Sequence, residues 1–270
     1  MRYSIGHVLS GLLILFGITA LSGLLGPLHA AGLGVSPSAF SLAVEPGRTY
    51  AGSFTLSSFG DHTVAISVGD WLLDATGAKY YPAQPVERSL AKWIEVTPVR
   101  FAVKQGKPQM VRYRLTVPAT ATGSNWGMIF AETVQGQGPA SKGAAGLVFR
   151  PRIGIIIIAQ TARGAVMDGQ VEEVRADWSA QDGLHASVTF KNTGNSIVQI
   201  KGRFEIKDRS GVSVANAPFG DKGLMVLPHA KRIITGDLRA QLKSGNYVLL
   251  AIIDFGVRKV IAGQRPFKVP

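Results

Sequence analysis

Short runs of alternating apolar and polar residues, separated by turn-forming residues, fill the chain from Gly32 onward, and a helical period is almost absent. The clearest run is residues 111–117 (VRYRLTV), in which every second side chain is apolar or aromatic and the others are Arg or Thr. Neighbouring side chains of a strand point to opposite faces, so this alternation predicts a strand with one buried face. The sequence therefore predicts an all-β chain.

These runs form two series, and the pattern breaks between them at residues 161–169 (TARGAVMDG). Strands this short, at this spacing, are typical of β-sandwiches. We therefore expect two sandwich domains, residues 32–163 and residues 164–270. Within the first, residues 136–146 (GQGPASKGAAG) contain no large apolar side chain and are expected to form a mobile loop.

The first 31 residues have a different composition. Arg2 gives a positive start, residues 8–26 form a run of 19 residues without a charge, and small residues follow at Ala30 and Ala31. This arrangement predicts a secretory signal peptide over residues 1–31, cleaved after Ala30 or Ala31. The alternative is an uncleaved anchor, because 19 residues nearly cross a bilayer. In both cases the folded part leaves the cytoplasm.

Composition narrows the possible functions. The 270 residues include no cysteine, which excludes a disulfide scaffold, a thiolate nucleophile and a cysteine-type zinc site. The net charge is +12, from 29 Lys and Arg against 17 Asp and Glu. This excess is spread over both series rather than gathered in one stripe, so we expect no nucleic-acid partner. It suits a surface that meets acidic partners or an anionic envelope.

Catalytic chemistry is not predicted. His62, His185 and His229 lie singly beside turns or strand starts, and no nucleophile, phosphate-loop or metal-binding motif is present. Asp70 and Asp74 are the closest paired carboxylates, and Asp74 belongs to a turn in which Asp typically bonds its own backbone. We therefore expect no enzyme, with no catalytic residue, no cofactor and no metal.

Several segments of the first series together resemble a known family. Residues 35–44 form an extended opening, residues 93–98 read WIEVTP, and residues 105–114 (QGKPQMVRYR) lead into a strand. This order resembles the PapD-like periplasmic chaperones of chaperone–usher pilus assembly. The resemblance covers about residues 33–160. The second series, with residues 192–195 (NTGN) and 254–256 (DFG), looks like a widespread bacterial immunoglobulin-like module.

The resemblance implies two immunoglobulin-like domains behind a signal peptide, and a mechanism of strand donation. In that family the last strand of the first domain lends alternating apolar side chains to an incomplete subunit, while a Lys on that strand and an Arg on the first strand hold the subunit's terminal carboxylate. The matching positions here form the expected partner-binding set: Leu147, Phe149, Arg150 and Arg152. Two departures accompany them: Pro151 removes a backbone donor, and the opening segment contains no Arg.

The leading hypothesis is thus an exported, non-catalytic, chaperone-like protein of the periplasm or cell envelope. It would bind secreted pilin-like subunits or another envelope protein, and it would touch the membrane only through an uncleaved signal segment. The alternative is a structural or adhesive immunoglobulin-like envelope protein. For residues 147–158, the simpler interpretation is an ordinary core strand.

Overall fold

In the computed structural model of this protein, the described residues are 28–30 (as backbone), 32–134, 150–257 and 260–270. Regular structure in these ranges consists of β-strands, which confirms the predicted all-β fold class of two β-sandwiches. The predicted loop at residues 136–146 and most of the predicted signal peptide lie outside these ranges. No helix of the described residues has the length and apolar character needed to cross a bilayer.

The described strands of the first sandwich follow the alternation of the sequence closely. They are β1 (Leu28–Ala30), β2 (Leu33–Ser36), β3 (Ala39–Ala43), β4 (Thr49–Ser58), β5 (His62–Gly69), β6 (Leu72–Leu73), β7 (Lys79–Tyr80), β8 (Ile94–Thr97), β9 (Arg100–Val103), β10 (Gln109–Thr116), β11 (Gly123–Thr133) and β12 (Arg152–Thr161). One sheet has the order β1-β2-β4-β10-β8, the other has the order β3-β12-β11-β5-β9, and β6 and β7 form a small hairpin.

At both edges of this sandwich, the chain crosses from one sheet to the other. At one edge the chain leaves β2, passes the cis Ser36–Pro37 bond and continues as β3, which pairs in parallel with β12. At the other edge it leaves β8, passes the cis Thr97–Pro98 bond and continues as β9, which pairs with β5. Proline has no N–H to give to a ladder, so it suits the point at which a strand leaves one sheet.

The first core lies between these two sheets. On β10 the residues predicted to face inward, Val111 and Leu115, are fully buried, and Tyr113 lies among them. The Tyr113 ring packs edge-on against Phe40 of β3 with centroids 5.2 Å apart. Burial raises the pKa of Tyr113 to about 12, because the phenolate would lose its hydration there.

The second sandwich is built from the remaining strands. They are β13 (Gly169–Ser179), β14 (Gly183–Asn192), β15 (Val198–Lys207), β16 (Ser213–Val226), β17 (Lys231–Leu238), β18 (Gly245–Asp254) and β19 (Val260–Val269). One sheet has the order β13-β14-β17 and the other β16-β15-β18-β19. Phe190, Phe204 and Phe255 are fully buried between them, so this half has a core of its own.

The loop between β14 and β15 is organised by a buried amide. Asn192 is fully buried, and its side-chain N–H groups donate to the carbonyls of Ser196 (2.8 Å) and Val226 (3.1 Å). Its side-chain oxygen accepts from the N–H of Gly194 (3.0 Å). These three bonds fix the loop and attach it to the end of β16.

The same loop binds the segment that joins the two sandwiches. The side-chain oxygen of Asn195 accepts from the N–H of Val166 (2.7 Å), and its amide group donates to the carbonyl of Gly164 (2.8 Å). The carbonyl of Asn195 also accepts from the N–H of Ser124 (3.0 Å), at the start of β11. One loop of the second sandwich therefore holds both the joining segment and the first sandwich.

A second contact connects the halves through the turn between β6 and β7. The carbonyl of Ala75 in this turn accepts from the N–H of Ile233 on the edge strand β17 (2.7 Å). The carboxylate of Asp74 accepts from Thr76 and Ala78, and these hydrogen bonds lower its pKa. The turn is thus built from its own side chains and pairs one N–H of an otherwise open sheet edge.

We expect Asn192→Ala to destabilise the protein by about 2–3 kcal/mol, because it leaves buried partners unpaired and frees the loop. Urea unfolding followed by circular dichroism measures this change. The matched control is Asn216→Ala on the exposed face of β16, which should change stability by less than about 0.5 kcal/mol. Equal effects of the two variants would show that the loop bonds add no stability.

Candidate partner-binding edge

The last strand of the first sandwich is covered only in part. On one side, β12 pairs with β11 along its whole length, from Arg152 opposite Glu132 to Thr161 opposite Gly123. On the other side, its pairing with β3 begins at Ile156 opposite Ala39. Among the described residues no strand pairs with the stretch before Ile156 on this second side, which we call the open side of β12.

The hydrogen bonds at either end of this stretch show which backbone groups face the open side. The carbonyl of Pro151 accepts from the N–H of Thr133 (3.1 Å), so Pro151 faces β11. The N–H of Ile156 donates to the carbonyl of Ser38 (3.0 Å), so Ile156 faces β3. Since successive residues of a strand direct their backbone groups to alternate sides, the N–H and C=O groups of Arg152 and Gly154 face the open side.

This alternation shows on which side of β12 the missing N–H of Pro151 lies. Its nitrogen lies on the side of β11, so the donor that proline lacks is missing from the β11 ladder and not from the open side. The departure noted in the sequence therefore leaves the open side intact. Pro151 itself is buried and continues the inward-facing row of Ile153 and Ile155.

The two arginines predicted for this site have different surroundings. The Arg152 guanidinium lies over the ring of Phe130, 3.7 Å from its centroid, and its Nε is 3.9 Å from a carboxylate oxygen of Glu132. Tyr81 packs edge-on against the same Phe130 ring, with centroids 5.4 Å apart. Arg150 is exposed and makes no hydrogen bond or ion pair with the described residues.

The other predicted members of the site are not brought together with these arginines. Leu147 and Phe149 lie outside the described residues. On the opening segment, the residue whose carbonyl pairs with the Ile156 N–H is Ser38, and its buried hydroxyl has no hydrogen-bond partner among the described residues. The described part of the site is therefore a short backbone edge beside two arginines, and it contains no second cation from the first strand.

The opposite face of β11 carries an apolar cluster that the sequence analysis did not predict. Trp126, Met128 and Phe130 point away from the first core and pack with Trp71 of the same half and Leu227 of the other. The indole N–H groups of the two tryptophans are satisfied by the carbonyls of Gly127 and Trp71, at 3.2 and 2.8 Å. The run WGMIFA at residues 126–131, apolar on both faces, was the feature that could have indicated it.

The histidines and carboxylates of the described residues form no group that could hold a metal ion. His185 makes a hydrogen bond of 2.7 Å between its Nδ1 and Asp237 on the neighbouring strand, on the exposed face of the second sandwich. Asp74 lies in its turn, as its position in the sequence predicts.

Comparisons with known proteins add structural neighbours. No protein-family model and no curated protein sequence matches the chain. Among solved structures, a chaperone–tip adhesin complex of CFA/I fimbriae matches at 12% identity and a TM-score of 0.43, covering 87% of this chain and 99% of that one. The chaperone DraB of E. coli matches at 12% identity and a TM-score of 0.38, covering 88% and 95%.

A third neighbour is the CsuC–CsuE chaperone–tip subunit complex of Acinetobacter baumannii, at 16% identity and a TM-score of 0.37, covering 76% of this chain and 90% of that one. The resemblance to fimbrial chaperones that the sequence predicts is thus matched by solved structures. At these identities and TM-scores, the function has to be argued from the residues of this chain.

We expect Arg152→Ala to lower stability by about 1 kcal/mol, because it removes the cation from the face of Phe130 and exposes the ring. Arg150→Ala, two residues earlier on the same face, should change stability by less than about 0.5 kcal/mol. Thermal and urea unfolding of the two variants measure the difference. Indistinguishable variants would show that the contact between Arg152 and Phe130 contributes nothing.

Proposed function

We propose that this protein is an exported, non-catalytic, chaperone-like protein that binds an extended segment of an envelope subunit as an added strand on the open side of β12. The observation that carries the proposal is that the backbone groups of Arg152 and Gly154 face the open side. Both residues precede Ile156, where the pairing with β3 begins. An extended segment that reached this stretch would gain main-chain hydrogen bonds of the kind that strand addition uses.

The surrounding geometry supports this position for a partner. The opening segment passes from β2 to β3 at Ser36–Pro37, so it joins β12 only from Ile156 onward. A segment entering before Ile156 would continue the line that β3 follows along β12. Its backbone would then extend the sheet beside β1 and β2, both of which approach β12.

Side chains complete the proposed site. Leu147 and Phe149, directly before the open stretch in the sequence, are the proposed apolar contributors. Arg150 and Arg152 are the proposed partners of a carboxylate, since guanidinium groups form charge-assisted hydrogen bonds with carboxylates. Phe130 supports the plane of Arg152 and limits its freedom, which lowers the entropy lost on binding. The proposed location is the periplasm or cell envelope, and the proposed partners are pilin-like subunits.

A structural or adhesive role is the second candidate, and one surface favours it. Tyr80 and Tyr81 are 46% and 56% exposed, and Lys79 beside them lies over the Trp71 ring, 5.2 Å from its centroid. Burial lowers the pKa of Lys79. Exposed tyrosines beside a cation are a common composition of binding surfaces.

Two substitutions at one position separate backbone pairing from side-chain contact. Arg152→Pro removes both the outward N–H and the guanidinium, whereas Arg152→Ala removes the guanidinium alone. We expect capture of envelope subunits by the mature protein to be retained at a reduced level with Arg152→Ala and lost with Arg152→Pro. Pull-down from envelope extract followed by mass spectrometry identifies the captured proteins.

Circular dichroism and thermal unfolding establish that both variants fold before capture is compared. The variant Leu147→Asp/Phe149→Asp tests the apolar contribution in the same assay. If Arg152→Pro captured the same subunits as Arg152→Ala, strand addition at this edge would be excluded. Binding to wall or lipid material alone, unchanged by all three variants, would favour the structural or adhesive role.

A further inference from the structure

β1 lies at the same edge of the first sandwich as the open side of β12. It pairs antiparallel with β2, with Leu28 opposite Val35 and Ala30 opposite Leu33. The chain then crosses from β2 to β3, and β3 pairs with β12 from Ile156 onward. The segments β1, β2 and β3 therefore follow one another along the edge at which a partner's strand would be added.

The hydrogen bonding of β2 shows which of its backbone groups depend on β1. The N–H of Phe59 donates to the carbonyl of Gly32 (3.0 Å), so the backbone of Gly32 faces β4. Successive residues of a strand face alternate sides, so Gly34 also faces β4, while the N–H and C=O groups of Leu33 and Val35 face β1. Without β1, these groups would form an unpaired edge of the same kind as the open side of β12.

β1 also bends towards the line that a partner's strand would follow along β12. The strand orders β1-β2-β4 and β3-β12-β11 place β1 opposite the line of β3, because β2 approaches β12. Facing sheets lie about 10 Å apart and neighbouring strands about 4.8 Å apart, so an unbent β1 would lie about 11 Å from β12. Cα atoms of β1 instead come within 8 Å of Cα atoms of β12.

The register places β1 level with the unpaired stretch of β12. Leu28 is opposite Val35, which lies four residues before Ala39. Ala39 is opposite Ile156, and Arg152 lies four residues before Ile156. β1 therefore stands beside the beginning of β12, in front of the backbone groups that the proposed function leaves to a partner.

We infer that β1 is a removable guard of the partner edge, which keeps a partner's strand off the open side of β12 as long as residues 28–30 remain on the chain. This inference rests on the proposed function and names its regulation. The signal peptide predicted over residues 1–31 includes the whole of β1, so cleavage after Ala30 or Ala31 would remove the guard. An uncleaved chain would keep the edge closed, and a cleaved chain would open it.

Two chains that both lack the apolar run of residues 8–26 test this inference. One begins at Pro27 and keeps every described residue, and the other begins at Gly32 and lacks only β1. Amide exchange at Leu33 and Val35 should be slow in the longer chain and fast in the shorter one. The probe for binding is the set of envelope subunits that the shorter chain captures. The longer chain should capture them about tenfold more weakly, because its edge would be open in only a minor fraction of molecules.

Two proline variants of the longer chain separate the guard from chain length alone. Ala30 is opposite Leu33 and therefore faces β2, so Ala30→Pro removes a donor of this ladder and should restore capture to the level of the shorter chain. His29 is opposite Gly34 and faces away from β2, so His29→Pro is the matched control and should leave capture weak. Circular dichroism confirms that each variant is folded.

The variant Arg152→Pro distinguishes failure of the guard from failure of the proposed function. Equal capture by the two chains, lost from both with Arg152→Pro, would overturn the guard and leave the proposed function standing. Fast exchange at Leu33 and Val35 in the longer chain would also overturn the guard. Capture by the shorter chain that Arg152→Pro left unchanged, or no capture by either chain, would overturn the proposed function and the guard together.

Discussion

The backbone groups at a sheet edge have to be paired, covered or left to a partner, and this constraint explains the architecture of the first sandwich. The chain satisfies this constraint at two edges, where it crosses from one sheet to the other at a proline. After the crossing, β3 pairs with β12 and β9 pairs with β5. In the second sandwich, the β6–β7 turn pairs one N–H of the edge strand β17. The covering strand β3 begins to pair with β12 only at Ile156, so the stretch of β12 before Ile156 is not covered by it. The proposed function depends on this stretch.

The two sandwiches contact each other through interactions that differ in kind. The Asn192–Asn195 loop supplies directional hydrogen bonds, and the cluster around Trp71 and Trp126 supplies buried apolar area. Hydrogen bonds are directional and tolerate little displacement, whereas apolar contact adds stabilisation without defining a geometry. Their combination holds the first sandwich against the second and keeps the outer face of β11 out of water.

The period of the sequence was sufficient to predict the strands but not their partners. Residues 111–116 of this run lie within β10 with the predicted inward row, because alternation is a local property of the chain. The parallel pairing of β3 with β12 joins segments more than a hundred residues apart and has no local pattern. The open side of β12 depends on that pairing, so it could be recognised only in the structure.

Pro151 illustrates the same limit at a single residue. From the sequence alone, a proline in the predicted partner-binding strand indicates a lost backbone donor. The register between β11 and β12 decides on which side of β12 the donor is missing. In this register, the missing N–H is on the side of β11. The missing cation on the opening segment, in contrast, was visible in the sequence and is unchanged by the structure. The clamp implied by the family resemblance is therefore represented only on the β12 side.

Amide hydrogen exchange along residues 152–157 of the mature protein is the most direct test of the open side of β12. The account predicts fast exchange at Arg152 and Gly154, slow exchange at Ile153 and Ile155, and slow exchange again from Ile156, where Ser38 accepts the bond. On capture of a subunit, Arg152 and Gly154 should become slow. Uniformly slow exchange in the free protein would contradict the account, because it would show that the open side is already covered.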